Sequence, residues 1–522
     1  MSVKFLYKML EYYGLTVEDY NRLAEPPTLG LVPITKHFRN VEFAVVCLEE
    51  HIKRNDKIVV YGDYDCDGIL ATSIIIKALD YLNYENKGFY IPSRYTDGYG
   101  LTLEKAKQFK EKGYKLVICV DNGVSQNEAV NYCVDNGMDV IICDHHTLPA
   151  ELPHTKHIIH PEFSKIKPEV CSGGFCAYIF ATAFLRKHDD YLLTLAGIST
   201  ISDLMQLTKT NREIVRYSLR LIDNNSFEPI LLLNNYSIFT DESTIGGLIA
   251  PKINSVGRLQ EGLGANKVVT YFTTNDEEER LRILRFIEAN NNERKEITKN
   301  YSSDNDVFKV DKPCIFNVTS EKEGIIGLIA SKLCNDFNKL AVVLTNGKND
   351  KEHIYKSSIR SKPGINVFEM LEKNKDLLLG YGGHEGAGGC SIEESNLKEF
   401  EERCYDFCKD KTFVEEETKY IDIYKADFTK VENYYILRNF APFGQGNKRP
   451  KFRMINFTLS DLTKSPDGKH IVTYLGPKFK IVKFFLKDGD IPNKKIGTLY
   501  GTIGQNEFKG RRTLNFYIEK IV

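Results

Sequence analysis

Short apolar runs punctuate the first part of the chain: Ile58 to Tyr61, Leu116 to Val120 and Val140 to Cys143. Each is rich in β-branched residues, and helix-like segments separate them. Runs of this kind read as buried strands of a parallel sheet, so residues 41–225 are expected to form an α/β domain. Residues 1–40, with a Pro26-Pro27 turn, read as a helical lead-in. Within 226–305, the stretch 276–302 lacks Gly and Pro and repeats apolar residues at Leu281, Leu284, Ile287 and Ala289. That pattern predicts a long helix bridging two lobes. A second α/β segment is expected over 306–412, followed by an acidic linker at Glu415-Glu416-Glu417. Residues 426–522 alternate apolar and polar positions in short runs broken by Gly, Asp and Pro, which predicts a small all-β barrel.

Composition adds two points. The 522 residues carry no apolar run near the length of a membrane span and no signal-peptide core, so a soluble protein with several domains is expected. The 12 cysteines have no zinc-knuckle spacing and read as reduced thiols of a cytosolic protein. Net charge is −1, which alone argues against nucleic acid. The distribution reverses that reading: residues 426–522 hold 18 Lys/Arg against 8 Asp/Glu, while the rest of the chain is acidic. A basic module on an acidic body suggests a polyanionic partner.

Chemistry gathers where the predicted strands end. Asp63, Asp65 and Asp67 follow the first run, Asp121 the second, and Asp144, His145 and His146 the third; Asp203 comes later, in Ser202-Asp203-Leu204. Ligands of open α/β sheets bind at that edge. So many carboxylates together are tolerable only with cations. Hard divalent ions such as Mg²⁺ and Mn²⁺ take carboxylate oxygens, and imidazole shifts preference toward Mn²⁺. On a turn, Asp65 and Asp67 can splay toward two ions, with Asp121 as a bridge. A two-metal site activates water and clamps a phosphoryl group. An isolated Asp-x-Asp is more often a turn or helix cap, and a lone His-His a surface or core pair. The joint occurrence after successive strands carries the reading. The glycine stretches 323–327 and 382–389 are weak as dinucleotide fingerprints. Arg94, Arg258, Ser358 and Arg360 are unremarkable singly.

Gly62-Asp63-Tyr64-Asp65-Cys66-Asp67-Gly68, Val120-Asp121-Asn122-Gly123, Asp144-His145-His146 and Ser202-Asp203-Leu204 resemble the four motifs of the DHH phosphoesterases. The resemblance continues through Pro251 to Leu259, and again through Gly324 to Ser331 and Gly382-Gly383-His384 with Ala387 to Gly389, the last two stretches being similar to the DHH-associated domain. Ala441 to Asn447, with Pro450 and Phe452, resembles the entry to the OB-fold of the RecJ single-strand DNA exonucleases. The resemblance implies an α/β protein: a parallel-sheet DHH domain, a long connecting helix, an α/β DHH-associated domain and a C-terminal OB-fold. It also implies a two-ion cofactor, Mn²⁺ or Mg²⁺, with Asp65 on one ion, Asp67, His145 and Asp203 on the other, and Asp121 between them. Asp63 would bind or support the first ion, Asp144 would orient His145, and His146 would face the phosphate. Asn254, Arg94, Arg258, Ser358, Arg360 and His384 would bind substrate, the arginines and serine as a pocket for a terminal 5′-phosphate.

The activity so implied is 5′→3′ hydrolysis of single-stranded DNA to 5′-mononucleotides in DNA repair and recombination. The setting would be cytoplasmic, by a monomer without membrane contact, alongside a single-strand-binding protein and a helicase. The alternatives are a short-oligonucleotide phosphodiesterase of the nanoRNase kind, against which the basic module argues, and a non-catalytic replication scaffold, against which the full ligand set argues. His160-Pro161 stands where the family commonly has Asn-Pro. Without tryptophan, base stacking would fall to rings such as Phe452, Tyr474, Phe479, Phe484 and Phe485, about half of which alternation should bury.

Overall fold

The computed structural model describes the chain apart from residues 1–2, 29–37, 39, 165–170, 226, 238, 302–310, 347–352, 415–416, 488 and 509–510. Part of the expected acidic linker therefore lies outside the described residues.

The first sheet comprises β1 (Ile58–Tyr61), β2 (Lys87–Tyr90), β3 (Leu116–Val120), β4 (Asp139–Cys143) and β5 (Ile158–Ile159), in the order β2-β1-β3-β4-β5. Every pairing is parallel. β1 and β3 are buried on both faces, which is why they read as unbroken apolar runs rather than alternating ones. The edge strands were not legible: β2 is Lys-Gly-Phe-Tyr and half-buried, and β5 is two residues long. Helices Cys66–Tyr81 and Gly173–Leu185 cover one face, helix Asp190–Ser202 packs on both of them, and all three are buried almost all round. The long helix runs Glu277–Asn300, capped by Asp276, with Glu277, Glu278 and Glu279 facing the positive end of its dipole.

The second sheet is mixed, β6 (Ile315–Thr319), β7 (Ala341–Thr345), β8 (Ile354–Arg360), β9 (Leu378–Gly383) and β10 (Ala387–Glu393), in the order β6-β7-β8-β10-β9. Helix Glu323–Phe337 packs on one of its faces. The third has six strands: β11 (Ile421–Ile423), β12 (Phe452–Thr458), β13 (Ile471–Tyr474), β14 (Phe479–Lys483), β15 (Ile496–Phe508) and β16 (Arg511–Ile521), in the order β11-β12-β15-β16-β14-β13.

Three expectations change. The C-terminal module is not all-β and does not begin at 426. β11 pairs with β12, and helices Lys425–Phe428 and Val431–Phe440 stand between them. The helical lead-in forms but is not a unit of its own. Helices Val3–Tyr13 and Val17–Ala24 insert Phe5, Leu6, Met9, Leu10 and Tyr20 into the core of that module. Phe5 stacks on Phe452 at 6.1 Å and Tyr13 on Phe440 at 5.1 Å. Finally, Ala441 to Asn447 does more than open the module: it docks it on the first domain. Leu207 N–H donates to Gln445 O at 2.7 Å, and the Arg212 guanidinium donates to the carbonyls of Asn439 and Ala441 at 2.8 Å. No helix among the described residues is long and apolar enough to cross a membrane.

Candidate active site

Parallel pairing brings the chemistry to one edge. Asp63 follows β1, Asp121 follows β3 and Asp144 follows β4. Asp65 is the N-cap of helix Cys66–Tyr81, its side chain accepting from Gly68 N–H at 3.1 Å, so Asp67 falls in the first turn. Asp203 caps the C-terminal end of helix Asp190–Ser202. Asp121 has a left-handed backbone (φ 60°), an uncommon state that Asp tolerates better than most residues. It places that side chain between the other groups.

The donor atoms sort into two main sets. Asp63, Asp65 and Asp121 form one, and Asp67, His145 and Asp203 the other, each with its atoms within 4.8 Å of one another; Asp121 also groups with Asp144, His145 and His146, which links the two. His145 Nε2 lies 3.1 Å from Asp121, 3.5 Å from Asp203 and 3.7 Å from Asp67. Burial first, then the neighbouring carboxylates, push Asp63, Asp65 and Asp121 up, and Asp203 up to about 8. Buried oxygens Asp63 Oδ1 and Asp203 Oδ2 have no hydrogen-bond partner. Crowded carboxylates with unpartnered oxygens fit divalent cations.

Several features escaped the sequence reading. Ser172 caps helix Gly173–Leu185, and the N–H groups of Gly173 and Gly174 donate to the two oxygens of Asp67, both at 2.8 Å. Ser199 Oγ donates to the same carboxylate. A Cβ at Gly173 would stand 2.6 Å from Asp121, and one at Gly174 2.3 Å from Ser199 Oγ. The Gly-Gly pair is thus a close approach, and its signal was Cys-Ser-Gly-Gly at a helix start.

Asp144 differs from expectation. Its carboxylate accepts from the backbone N–H groups of His145 and His146, but the ring it orients is that of His146, at 2.7 Å, not that of His145. Burial opposes ionisation of both partners, yet this bond and its attraction hold Asp144 down to about 2 and raise His146 to about 9. Tyr99 Oη lies 3.0 Å from His146 Nε2. His160 has Nε2 at 2.8 Å from the His146 carbonyl and pins the same loop.

Opposite the carboxylates lies an arginine cluster at the junction with the second α/β unit. Arg94 lies over the Tyr64 ring at 4.2 Å. Arg258, on helix Ala250–Leu259, donates to Gly324 O at 3.0 Å, and Arg360 donates to Ser358 Oγ at 3.0 Å. A Cβ at Gly327 would stand 3.2 Å from both Ser358 and Arg360, so the glycine leaves helix Glu323–Phe337 against them. Burial and then repulsion from Arg94, Arg294 and Arg360 lower Arg258 to about 10. Arg294, on the long helix, is a member that the sequence did not single out. Two expected substrate residues stand elsewhere. Asn254 spends its Oδ1 on Cys66 N–H at 2.8 Å, fixing the start of the helix that carries Asp65 and Asp67. His384 is exposed in the turn between β9 and β10, and its N–H donates to Ala387 O at 2.7 Å.

Strand-end carboxylates, a histidine pair and arginines gathered at the junction with a second lobe define a DHH-type phosphoesterase. Comparison with known proteins agrees: residues 57–206 match the DHH family, N-terminal domain, 311–410 the DHHA1 domain, and 423–520 the RecJ OB domain. With all three in this order, the chain belongs to the RecJ branch of the DHH superfamily. Relatives named single-stranded-DNA-specific exonuclease RecJ include that of Bacillus subtilis, 30% identical over 89% of this chain and 61% of that protein. That of Haemophilus influenzae is 25% identical over 92% of this chain and 90% of its own length. The chain thus spans about three fifths of the first relative and most of the second. The crystal structure of RecJ with Mn²⁺ from Thermus thermophilus superposes with a TM-score of 0.78 at 23% identity, over 96% of this chain and 73% of that one. That likeness concerns the fold.

Proposed function

We propose that this protein is a metal-dependent exonuclease that hydrolyses single-stranded DNA from its 5′ end to 5′-mononucleotides. One observation carries the reading: a two-part carboxylate cluster sharing Asp121 faces a cluster of mutually repelling arginines. A strand with a terminal phosphate, plus two Mn²⁺ or Mg²⁺, completes both. The RecJ relatives are named for this substrate.

Asp63, Asp65 and Asp121 would hold one ion, and Asp67, His145, Asp203 and Asp121 the other. Bound there, divalent ions act as Lewis acids on the phosphoryl oxygens and make water a nucleophile near neutral pH. The Gly173 and Gly174 amides and Ser199 fix the Asp67 carboxylate, so its direction is set before substrate arrives. His146, kept protonated by Asp144, presents positive charge and a proton beside the scissile group. Arg94, Arg258, Ser358 and Arg360 hold the terminal phosphate and so select which bond reaches the cluster. Water adds to phosphorus, the P–O3′ bond breaks, and O3′ takes a proton. The remaining strand carries a new 5′-phosphate, which the same pocket can take in the next cycle. Such an enzyme belongs to DNA repair and recombination in the cytoplasm, working as a monomer beside a helicase and a single-strand-binding protein.

The test is Mn²⁺-dependent digestion of strands labelled at either end, with products sized. A 5′ label should appear at once as mononucleotide, while 3′-labelled strands shorten stepwise, and Arg258→Ala should weaken the preference for a 5′-phosphorylated end. A strand blocked at its 5′ end but consumed, while one blocked at its 3′ end resists, would reverse the polarity. Digestion confined to di- to tetranucleotides would favour the short-oligonucleotide reading, and no hydrolysis at all the scaffold reading.

A further inference from the structure

Asp139, the first residue of β4, lies five residues before Asp144, so it sits toward the opposite end of the sheet from the catalytic cluster. Beside it are Cys47, on helix Val41–Arg54, and His157, immediately before β5. A thiol sulfur, a carboxylate oxygen and an imidazole nitrogen from these three residues lie within 4.8 Å of one another. Cys47 and His157 are buried, at 7% and 8% exposure, while the Asp139 side chain reaches solvent and leaves a route in. His157 Nδ1 is buried with no hydrogen-bond partner, an uncommon condition for an imidazole nitrogen.

The surroundings suit a cation. His51, four residues after Cys47 on the same helix face, places Nε2 3.0 Å from Asp139 and Nδ1 2.8 Å from Asp56, so it fixes the Asp139 carboxylate. Besides Asp139, the charged groups about the thiol are Glu50, Arg54 and Lys156. The Cys47 thiolate and the Asp139 carboxylate would supply two negative charges to a divalent ion.

We propose that Cys47, Asp139 and His157 form a second metal site, separate from the catalytic cluster and suited to zinc. Sulfur with imidazole nitrogen selects a borderline-soft ion, whereas the catalytic donors are mostly oxygen and suit Mn²⁺ or Mg²⁺. Binding replaces the Cys47 proton with the ion and releases that proton to solvent. The ion ties helix Val41–Arg54 to strands β4 and β5 at the sheet's edge. His51 is a positioning residue there, holding Asp139 from behind.

The experiment uses the full chain, stripped with chelator and titrated with Co²⁺ in place of Zn²⁺. The wild type and Asp121→Ala should both show thiolate-to-cobalt charge-transfer absorption, abolished by excess Zn²⁺. Cys47→Ser should lose that absorption and one equivalent of bound Zn²⁺ in equilibrium dialysis, while keeping Mn²⁺-dependent hydrolysis. His51→Gln should weaken Zn²⁺ binding about 10-fold or more. If Cys47→Ser does not fold, His157→Gln is read in its place and should lose the same equivalent. An absent charge-transfer band in the wild type, or one unchanged in Cys47→Ser and His157→Gln, overturns the site.

Discussion

Asp121 carries the two-ion arrangement at the scale of single residues. Its left-handed backbone and its 3.1 Å approach to His145 put one carboxylate in contact with both donor sets. Asp121→Ala should therefore lower the rate about 10³-fold or more, equivalent to about 4 kcal/mol of transition-state stabilisation. Single-turnover hydrolysis in Mn²⁺, with folding checked by circular dichroism, measures this; near-wild-type turnover would end the bridging assignment. The same residues set a pH dependence. Asp63, Asp65, Asp121 and Asp203 have folded-state pKa values above their unfolded value of about 3.9. The folded, cation-free chain thus holds more protons than the unfolded one, and stability falls as pH rises from about 4 toward the value of about 8 for Asp203. Chelated protein should melt at a lower temperature at about pH 8 than at about pH 5, and Mn²⁺ should raise melting more at the higher pH, where fewer protons need displacing. Asp203→Asn should flatten the difference. A larger Mn²⁺ shift at the lower pH would contradict the cluster's role. The identities of these acids were legible because they follow apolar runs; the partner of Asp144 was not. Which of two adjacent histidine rings meets a carboxylate depends on the turn, and His145 and His146 have the same composition.

Gly173 shows what an element contributes. Helix Gly173–Leu185 begins under the cluster and gives Asp67 two backbone donors at its positive end. A methyl group at Gly173 would meet Asp121 at 2.6 Å, so the helix start and the carboxylate would have to part by a fraction of an ångström. Gly173→Ala should lower kcat by about 10²-fold, since misplacement near 1 Å can cost that much. It should also raise the Mn²⁺ concentration for half-maximal rate while helical content stays unchanged. Wild-type rate and Mn²⁺ dependence would show that Asp121 tolerates the shift. The central strands and the long helix were readable because burial on both faces, or a Gly- and Pro-free amphipathic repeat, writes itself into composition. β5 was not, because two residues carry no period. Nor was the function of Ser172-Gly173-Gly174, because a helix cap looks alike wherever it sits, and only the fold places Asp67 before it.

The whole molecule joins its ends. Helices Val3–Tyr13 and Val17–Ala24 complete the core of the C-terminal module, a pairing across some 400 residues that no local pattern reveals. Glu242 of the connecting region, almost fully buried, accepts from Arg438 at 3.1 Å and Arg449 at 2.8 Å of that module. Part of its basic excess is thus spent on docking, close to the segment that follows Asp203. Truncating the module would strip Phe5 and Met9 of their partners, so point variants test strand binding more cleanly. Of the aromatic residues singled out, Phe452 and Phe479 are in the core, whereas Tyr474, Phe484 and Phe485 are 64%, 56% and 79% exposed. His470 meets the edges of both phenylalanines, at 5.7 and 5.5 Å, and holds them as a platform. Lys480 lies 4.9 Å from the Tyr474 ring centre, pairing a positive charge with an exposed aromatic face. Stacking a base on an aromatic ring contributes about 1–3 kcal/mol with little sequence preference. Phe484→Ala with Phe485→Ala should therefore raise KM for long single strands about 10-fold or more. kcat should hold, and rates on substrates too short to reach the module should not change. Lys480→Ala should instead make the salt dependence of binding shallower, because one fewer counterion is released. Equal losses on short and long strands would place these rings in the stability of the module; no loss on either would leave strand binding to another face.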